Sequence, residues 1–273
     1  MRVTRFGLAL AGALTLIGCK RDAGPFLMPT VPLAYTRFVN AVPDTFNTDW
    51  RFVDQLEGSP IGILVAFRGF TPYQATAPGS RHLKVFTNEG GLTPRLSVVT
   101  TALLDETITL EANKYYTLAH VGFTRDGQTP ADKLQVFEDA IPANPGTQVA
   151  VRTVNLASGL GAVDVFGYTT GGTVPATATF PNIDFLRPSS YQTFAPGALS
   201  FRATNAGTTT LVADAAAPAG AAGDPANNLT TIGGAAQAGS AFTAFVFPRS
   251  VALSKAANFT SPGIVYIIDR HPQ

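Results

Sequence analysis

One cysteine, three histidines and one tryptophan in 273 residues set the first limits on this chain. Cys19 has no second cysteine to pair with and no cysteine-ligated metal site to join, so stability must come from burial. His82, His120 and His271 form no pair at metal-ligand spacing. No G-x-S-x-G elbow, H-E-x-x-H pair or phosphate-cradling G-x-x-x-x-G-K-[ST] loop occurs. The acidic pairs Glu138-Asp139 and Asp44 with Asp49 lack the D-x-[DN]-x-[DN]-G run of a calcium loop, and calcium needs six to eight oxygens. No metal, no cofactor and no catalytic residue are therefore expected. Helical periodicity is also missing: no window of helical length keeps a 3.6-residue apolar pattern.

What is present is apolar and β-forming. Hydrophobic residues make up 45% of the chain and charged ones only 14%, enough to fill real cores. From residue 35 onward, runs rich in Phe, Val, Thr and Tyr alternate at the period of a strand. Removing Arg2 and Arg5 with the leader leaves 17 basic against 18 acidic residues, a net charge of −1. That balance does not suggest nucleic acid as a partner.

The leader begins MRVTRFGLALAGALTLIGC: two arginines, an apolar run from Phe6 to Ile17, then Gly18 and Cys19. The run is too short to cross a bilayer and has the zones of a secretory signal. Leu16-Ile17-Gly18-Cys19 resembles the lipobox of bacterial lipoproteins, which implies cleavage between Gly18 and Cys19 and lipidation of Cys19. Several acyl chains on one residue meet the requirement for stable anchoring. Lys20, rather than aspartate, follows the cysteine, which in the Gram-negative sorting pattern implies the outer membrane. The expected layout is a signal peptide over 1–18 and a lipidated, Pro-rich tether over 19–33, of which the thirteen residues 20–32 reach roughly 40 Å when extended.

Landmarks recur in one order along the rest. Arg37-Phe38-Val39-Asn40 matches Arg152-Thr153-Val154-Asn155, and Asp49 matches Asp164, both at an offset of 115. The heptad YQATAPG at 73–79 returns as YQTFAPG at 191–197, an offset of 118. Tyr116-Thr117-Leu118 matches Phe242-Thr243-Ala244 at 126, and Asp139 with Pro142 matches Asp269 with Pro272 at 130. An offset that only grows, with the order unbroken, points to internal duplication. The prolines and glycine of Ile141 to Thr147 place the boundary, giving repeats over 34–142 and 147–273. Each has the size of an immunoglobulin-like β-sandwich of around seven strands.

The heptad reads as turn chemistry. Pro78 or Pro196 fixes φ at the first corner of a type II turn, Gly79 or Gly197 takes positive φ at the second, and a strand follows. In the second repeat, the Ala- and Gly-rich stretch from Ala213 to Ser240 offers little to bury and predicts a mobile surface loop. His120 reads as a core or interface histidine and His82 as a solvated one. The sequons at Asn228 and Asn258 carry little meaning beside a bacterial lipobox.

The series R-x-V-N-A, D-W-R-F-V-D, Y-x-x-x-A-P-G and E-A-N-K-Y-Y-T-L resembles the bacterial family called domain of unknown function 4397, more closely in the first repeat than in the second. The resemblance implies a tandem envelope or secreted β-sandwich without an assigned activity. In the second copy Trp50 becomes Val165 and Phe52 becomes Gly167, so a site built on those aromatics would be absent there.

Function stays open between classes. A non-catalytic, lipid-anchored envelope module with a binding or structural role, its partner an envelope protein or polysaccharide, is the leading reading. A glycan-binding adhesin or an envelope hydrolase using loop carboxylates are the alternatives. Trp50, Phe70, Tyr73 and Tyr191 form the candidate ligand surface, against the reading of Trp50 as a core residue between sheets.

Overall fold

The computed structural model describes residues 31–55, 61–88, 101–252, 254 and 256–272. The leader, Gly18 and Cys19 lie outside the described residues. From Pro32 onward the chain forms one compact unit. Among the described residues there is no α-helix, one short 3-10 turn at Pro225–Asn227, and otherwise β-strand and connections.

The first sandwich contains β1 (Ala34–Asn40), β2 (Asn47–Phe52), β3 (Ile61–Val65), β4 (Gln74–Thr76), β5 (Gly79–Asn88), β6 (Ala102–Leu110), β7 (Tyr115–Val121) and β8 (Lys133–Glu138). The second contains β9 (Val149–Asn155), β10 (Val163–Thr169), β11 (Phe180–Ile183), β12 (Gln192–Phe194), β13 (Leu199–Asn205), β14 (Leu211–Ala216), β15 (Ala241–Phe247) and β16 (Gly263–Arg270). The sheets run β4-β1-β7-β8 and β3-β2-β5-β6 in the first, and β12-β9-β15-β16 and β11-β10-β13-β14 in the second. Adding eight to each strand number converts one pair of sheets into the other.

The expectation of sandwiches holds, but the strand order is not that of an immunoglobulin constant domain. There the first, second, fourth and fifth strands share a sheet. Here the first, fourth, seventh and eighth do, and β1 runs parallel to β7 in mid-sheet, as β9 does to β15. Sequence periodicity reports strands and faces but not which distant strands pair, so this order was not legible.

Burial explains the sheet pairing. Apart from Tyr35 and Tyr115, every residue of β1, β7, β9 and β15 is buried, because these strands are covered on both faces. Their two faces feed different cores. Phe38, Tyr116 and Leu118 pack with Trp50, Leu83 and Val85 inside the first sandwich. Val39, Ala119 and Val121 pack instead with Val154, Phe245 and Phe247 of the second. A third cluster, including Val151, Phe201 and Phe242, fills the second sandwich. The result is four sheets stacked with three cores between them. Two inner sheets face each other across the middle one.

The repeated Asp49 and Asp164 mark matching irregularities. Each sits where its strand shifts register against β3 or β11, and each carboxylate accepts from the N–H of a left-handed residue there. The bonds are Leu64 N–H at 2.9 Å and Asn182 N–H at 2.7 Å. Such bulges bend a strand at a fixed place.

The heptad turns differ in one respect. Gly79 takes φ of +102°, as the second corner of a type II turn requires, but Gly197 does not enter the left-handed region. Gly79→Val should therefore cost about 1–2 kcal/mol. Gly197→Val, with nothing within 4 Å of an added Cβ, should stay within about 0.5 kcal/mol of wild type. Urea unfolding of the two variants checks this; equal losses would remove the distinction.

The stretch from Ala213 to Ser240 departs from the expected mobile loop. It completes β14, then forms a hairpin bridged at Ala221 with Ile232 and at Asp224 with Leu229. It returns to bury Ala235 completely, with Ala235 accepting from Gly197 N–H and donating to Pro218 carbonyl, both at 2.8 Å. Small residues are what allow it: a Cβ on Gly234 would lie 2.3 Å from the Gly220 nitrogen. Low side-chain bulk here permits close backbone contact rather than disorder.

Candidate functional site

Four of the repeated landmarks, the arginine, threonine, late aspartate and heptad tyrosine, converge on one place, the plane between the two inner sheets. Arg37 of β1, Thr117 of β7 and the adjoining Asp139 share the strand faces that carry Val39, Ala119 and Phe137 into the middle core. Arg152, Thr243 and Asp269 do the same from β9, β15 and β16. Tyr73 and Tyr191, from the two heptads, cover the cluster from the side.

Within each repeat the contacts are the same. Arg37 Nε donates to Thr117 Oγ1 at 2.8 Å, Thr117 Oγ1 donates to Asp139 at 2.6 Å, and Tyr73 donates to Asp139 at 2.7 Å. Arg152 Nε donates to Thr243 Oγ1 at 2.9 Å, Thr243 donates to Asp269 at 2.7 Å, and Tyr191 donates to Asp269 at 2.8 Å. Each guanidinium also lies over its tyrosine ring, at 4.5 Å for Arg37 on Tyr73 and 5.1 Å for Arg152 on Tyr191.

The strongest charge contacts cross between repeats. Arg37 Nη2 lies 2.7 Å from Asp269 Oδ1, whereas its distance to Asp139 of its own repeat is 4.0 Å. Arg152 Nη2 reciprocally bonds Asp139 Oδ1. Two positive and two negative groups are thus taken out of water together, each repeat giving one arginine and one aspartate.

Burial is the largest influence on the Arg37 charge and works against it, but Asp269, Tyr73 and Asp139 together outweigh it and the pKa is raised. The same opposition, settled mainly by Asp139, raises Arg152. Burial holds the Tyr73 and Tyr191 hydroxyls protonated, as donors, well above the usual phenol range. Arg37 Nη1 has no hydrogen-bond partner among the described residues, so the network is held by charge as much as by alignment. The arginine and aspartate side chains are closed off from solvent, and the two tyrosines are partly buried at the rim. The network is an orientation lock.

The expected aromatic surface is not assembled. Trp50 is fully buried, stacked on Phe38 at 5.1 Å, with its N–H on Thr48 Oγ1 at 2.9 Å. A ring with no exposed face cannot display itself to a ligand, and the core reading is the one the structure supports. Tyr73 and Tyr191 spend their hydroxyls on the lock. Phe70, 43% exposed, is the member that faces solvent. His120 is buried with Nε2 3.0 Å from Asp132, His82 contacts Asp105 on the outer sheet, and His271 Nδ1 accepts from Gly233 N–H at 2.7 Å. None of the three sits in a cluster that could hold a metal among the described residues.

A different set of aromatics borders open space. The connection between β15 and β16 leaves the second sandwich and lies against the loops of the first. Arg68, in a left-handed conformation, fastens it by donating to the carbonyls of Pro248 at 2.6 Å and Ser261 at 2.5 Å. Its guanidinium stacks on Phe259 at 4.5 Å, and Phe67 meets Phe259 edge-on at 5.4 Å. Burial lowers the Arg68 pKa to about 10, which leaves it charged near neutrality. Arg125 adds a bond to Ala252 carbonyl at 2.6 Å.

Between this strap and the first sandwich lies a cleft of about 530 Å³. Phe46, Phe67 and Phe259 line it together with Thr45, Asn47, Ala66, Asn88, Ala256 and Asn258, none of them ionisable. Asn47 and Asn258 are exposed, while Asn88 is buried and donates to Asp49 at 3.0 Å. The size is that of a small-ligand site, and a junction between domains is a common place for one. The sequence offered one signal for it, Phe259 within a polar connection, which reads as an unremarked loop aromatic until the strap is seen to fold across.

No curated protein matches the chain. A DUF4397 domain, described as a domain of unknown function, is found in one copy at residues 34–166, covering the first sandwich and running through β9 into β10.

Proposed function

We propose that this protein is a lipid-anchored, non-catalytic module of the cell envelope, in which two copies of one sandwich fold hold a composite cleft that binds a neutral glycan. The observation that carries the reading is the cleft itself: phenyl rings of both repeats with exposed Asn47 and Asn258 at the border, and no ionisable side chain among the described lining residues. Aromatic faces suit the apolar faces of sugar rings, and carboxamides supply both donors and acceptors for hydroxyl groups. The absence of a carboxyl among those lining residues favours binding over the hydrolase alternative, which needs paired acids.

The matching strand orders and the shared Arg-Thr-Asp-Tyr set support the second sandwich as a diverged second copy. The Leu16 to Cys19 motif supports anchoring at Cys19, and Lys20 supports the outer membrane. Under this reading the lock keeps both walls of the cleft in register while the tether lets the body stand off the lipid surface.

The test uses the full chain expressed in a bacterial host, probed with an array of neutral oligosaccharides, with an alkyne fatty acid reporting the anchor. Retention of a sugar that falls about tenfold in Phe259→Ala, a change of about 1.4 kcal/mol, is expected. Fatty-acid label should be present on wild type and lost in Cys19→Ala. Retention of no sugar, or equal retention by Phe259→Ala, would overturn the cleft assignment; label persisting in Cys19→Ala would overturn the anchor.

A further inference from the structure

The plane between the inner sheets obeys two different symmetries. Its charges are two-fold: each repeat presents an arginine to the other's aspartate, Arg37 to Asp269 and Arg152 to Asp139. An interface in which i meets j and j meets i is self-complementary, and on charge alone either sandwich would accept a copy of itself.

The apolar residues are not two-fold. At equivalent positions of the first and second inner faces stand Ala41 and Leu156, Ala119 and Phe245, Val121 and Phe247. The first face is the smaller at all three. At the eighth strand the inequality reverses, with Phe137 opposite in rank to Ile267. All are buried in one cluster, so the bulk of the second face occupies room that the first leaves. Two second faces together would bring in excess rings, and overpacking a close-packed core is destabilising. Two first faces would leave a void, which is costly as well.

We infer that this face is repeat-selective: the first sandwich accepts the second sandwich of this chain, in the same copy or another, and rejects a second first sandwich. Ala119, Val121, Phe245 and Phe247 set the choice, while the arginine–aspartate pairs set the orientation. If copies are anchored side by side as proposed above, the selectivity prevents chains from linking through like faces. It rests on the middle core and is independent of the glycan reading.

The experiment places a protease site at Asn144-Pro145-Gly146 in the full chain and cuts the folded protein. Light and heavy isotope preparations are then mixed and weighed by native mass spectrometry. Every two-fragment species is expected to hold one first and one second sandwich. Like–like dimers of either fragment, or fragments that separate at micromolar concentration, would overturn the inference. In the cut protein, Ala119→Phe should weaken association at least tenfold and Phe245→Ala in the same chain should restore it. Association unchanged by Ala119→Phe, or not restored by the second change, would equally overturn it.

Discussion

Arg37→Met should lower the free energy of unfolding by about 3–5 kcal/mol, measured from urea midpoints at constant slope. The loss would not come from the contacts removed, since an ion pair in water and one in a protein differ little in net worth. It would come from what remains. Asp269 loses the guanidinium 2.7 Å away, Asp139 loses one of two flanking cations, and Arg152 is left to answer two fully buried carboxylates. A buried charge without a counter-charge is the expensive state. The double variant Arg37→Met, Asp269→Leu removes one charge of each sign and should recover most of the loss. An unchanged midpoint for Arg37→Met would show that water reaches the plane and that the lock holds nothing.

Trp50→Ala should cost a similar amount, about 3–5 kcal/mol, by opening a cavity in the first sandwich. The indole stacks on Phe38, meets His120 edge-on with ring centres 6.3 Å apart and keeps Thr48 in place, whose hydroxyl donates in turn to Val65 carbonyl at 3.1 Å. Alanine removes the packing and leaves that hydroxyl with one partner fewer. Because Trp50 is the only tryptophan, its fluorescence reports unfolding of the first sandwich alone, whereas far-ultraviolet circular dichroism reports both. The shared middle core predicts that the two signals change together in wild type. A Trp50→Ala protein as stable as wild type would return the ring to the surface.

Strand positions and faces were legible because the alternation of residues such as Leu83 and Val85 against His82 and Lys84 fixes a register by itself. The repeated landmarks were legible as repeats, yet their purpose was not. Arg37, Thr117 and Asp139 each look ordinary within a local window; what makes them a set is that they point the same way from strands 80 and 22 residues apart. A charged residue at an inward position of an otherwise apolar strand was the available signal, and it occurs at Arg37, Arg152 and Asp269. The strand order escaped for the same reason, since parallel pairing of β1 with β7 depends on distant partners. The hairpin after β14 was misread from composition, because alanine and glycine look empty when counted by side chain and prove necessary when counted by backbone approach.

The cleft was legible only as parts. Phe46 and Phe67 belong to loops of one sandwich and Phe259 to a connection of the other, and Arg68 joins them across 180 residues of chain. Tyr73 and Tyr191 drew attention because they recur, but recurrence marked the structural lock, and the ring set of the cleft occurs once.

Arg37 lies in the middle of the first strand and its counter-charge, Asp269, near the end of the sixteenth. A chain that emerges from its amino end, at the ribosome or in the export proposed above, therefore presents the arginine long before the aspartate. Until the last strand arrives, the inner face of the leading sandwich stays wet and its charge unanswered. A product cut short anywhere before β16 would be exposed as incomplete at its centre rather than at its end, and proteases that survey unfinished chains would find it there.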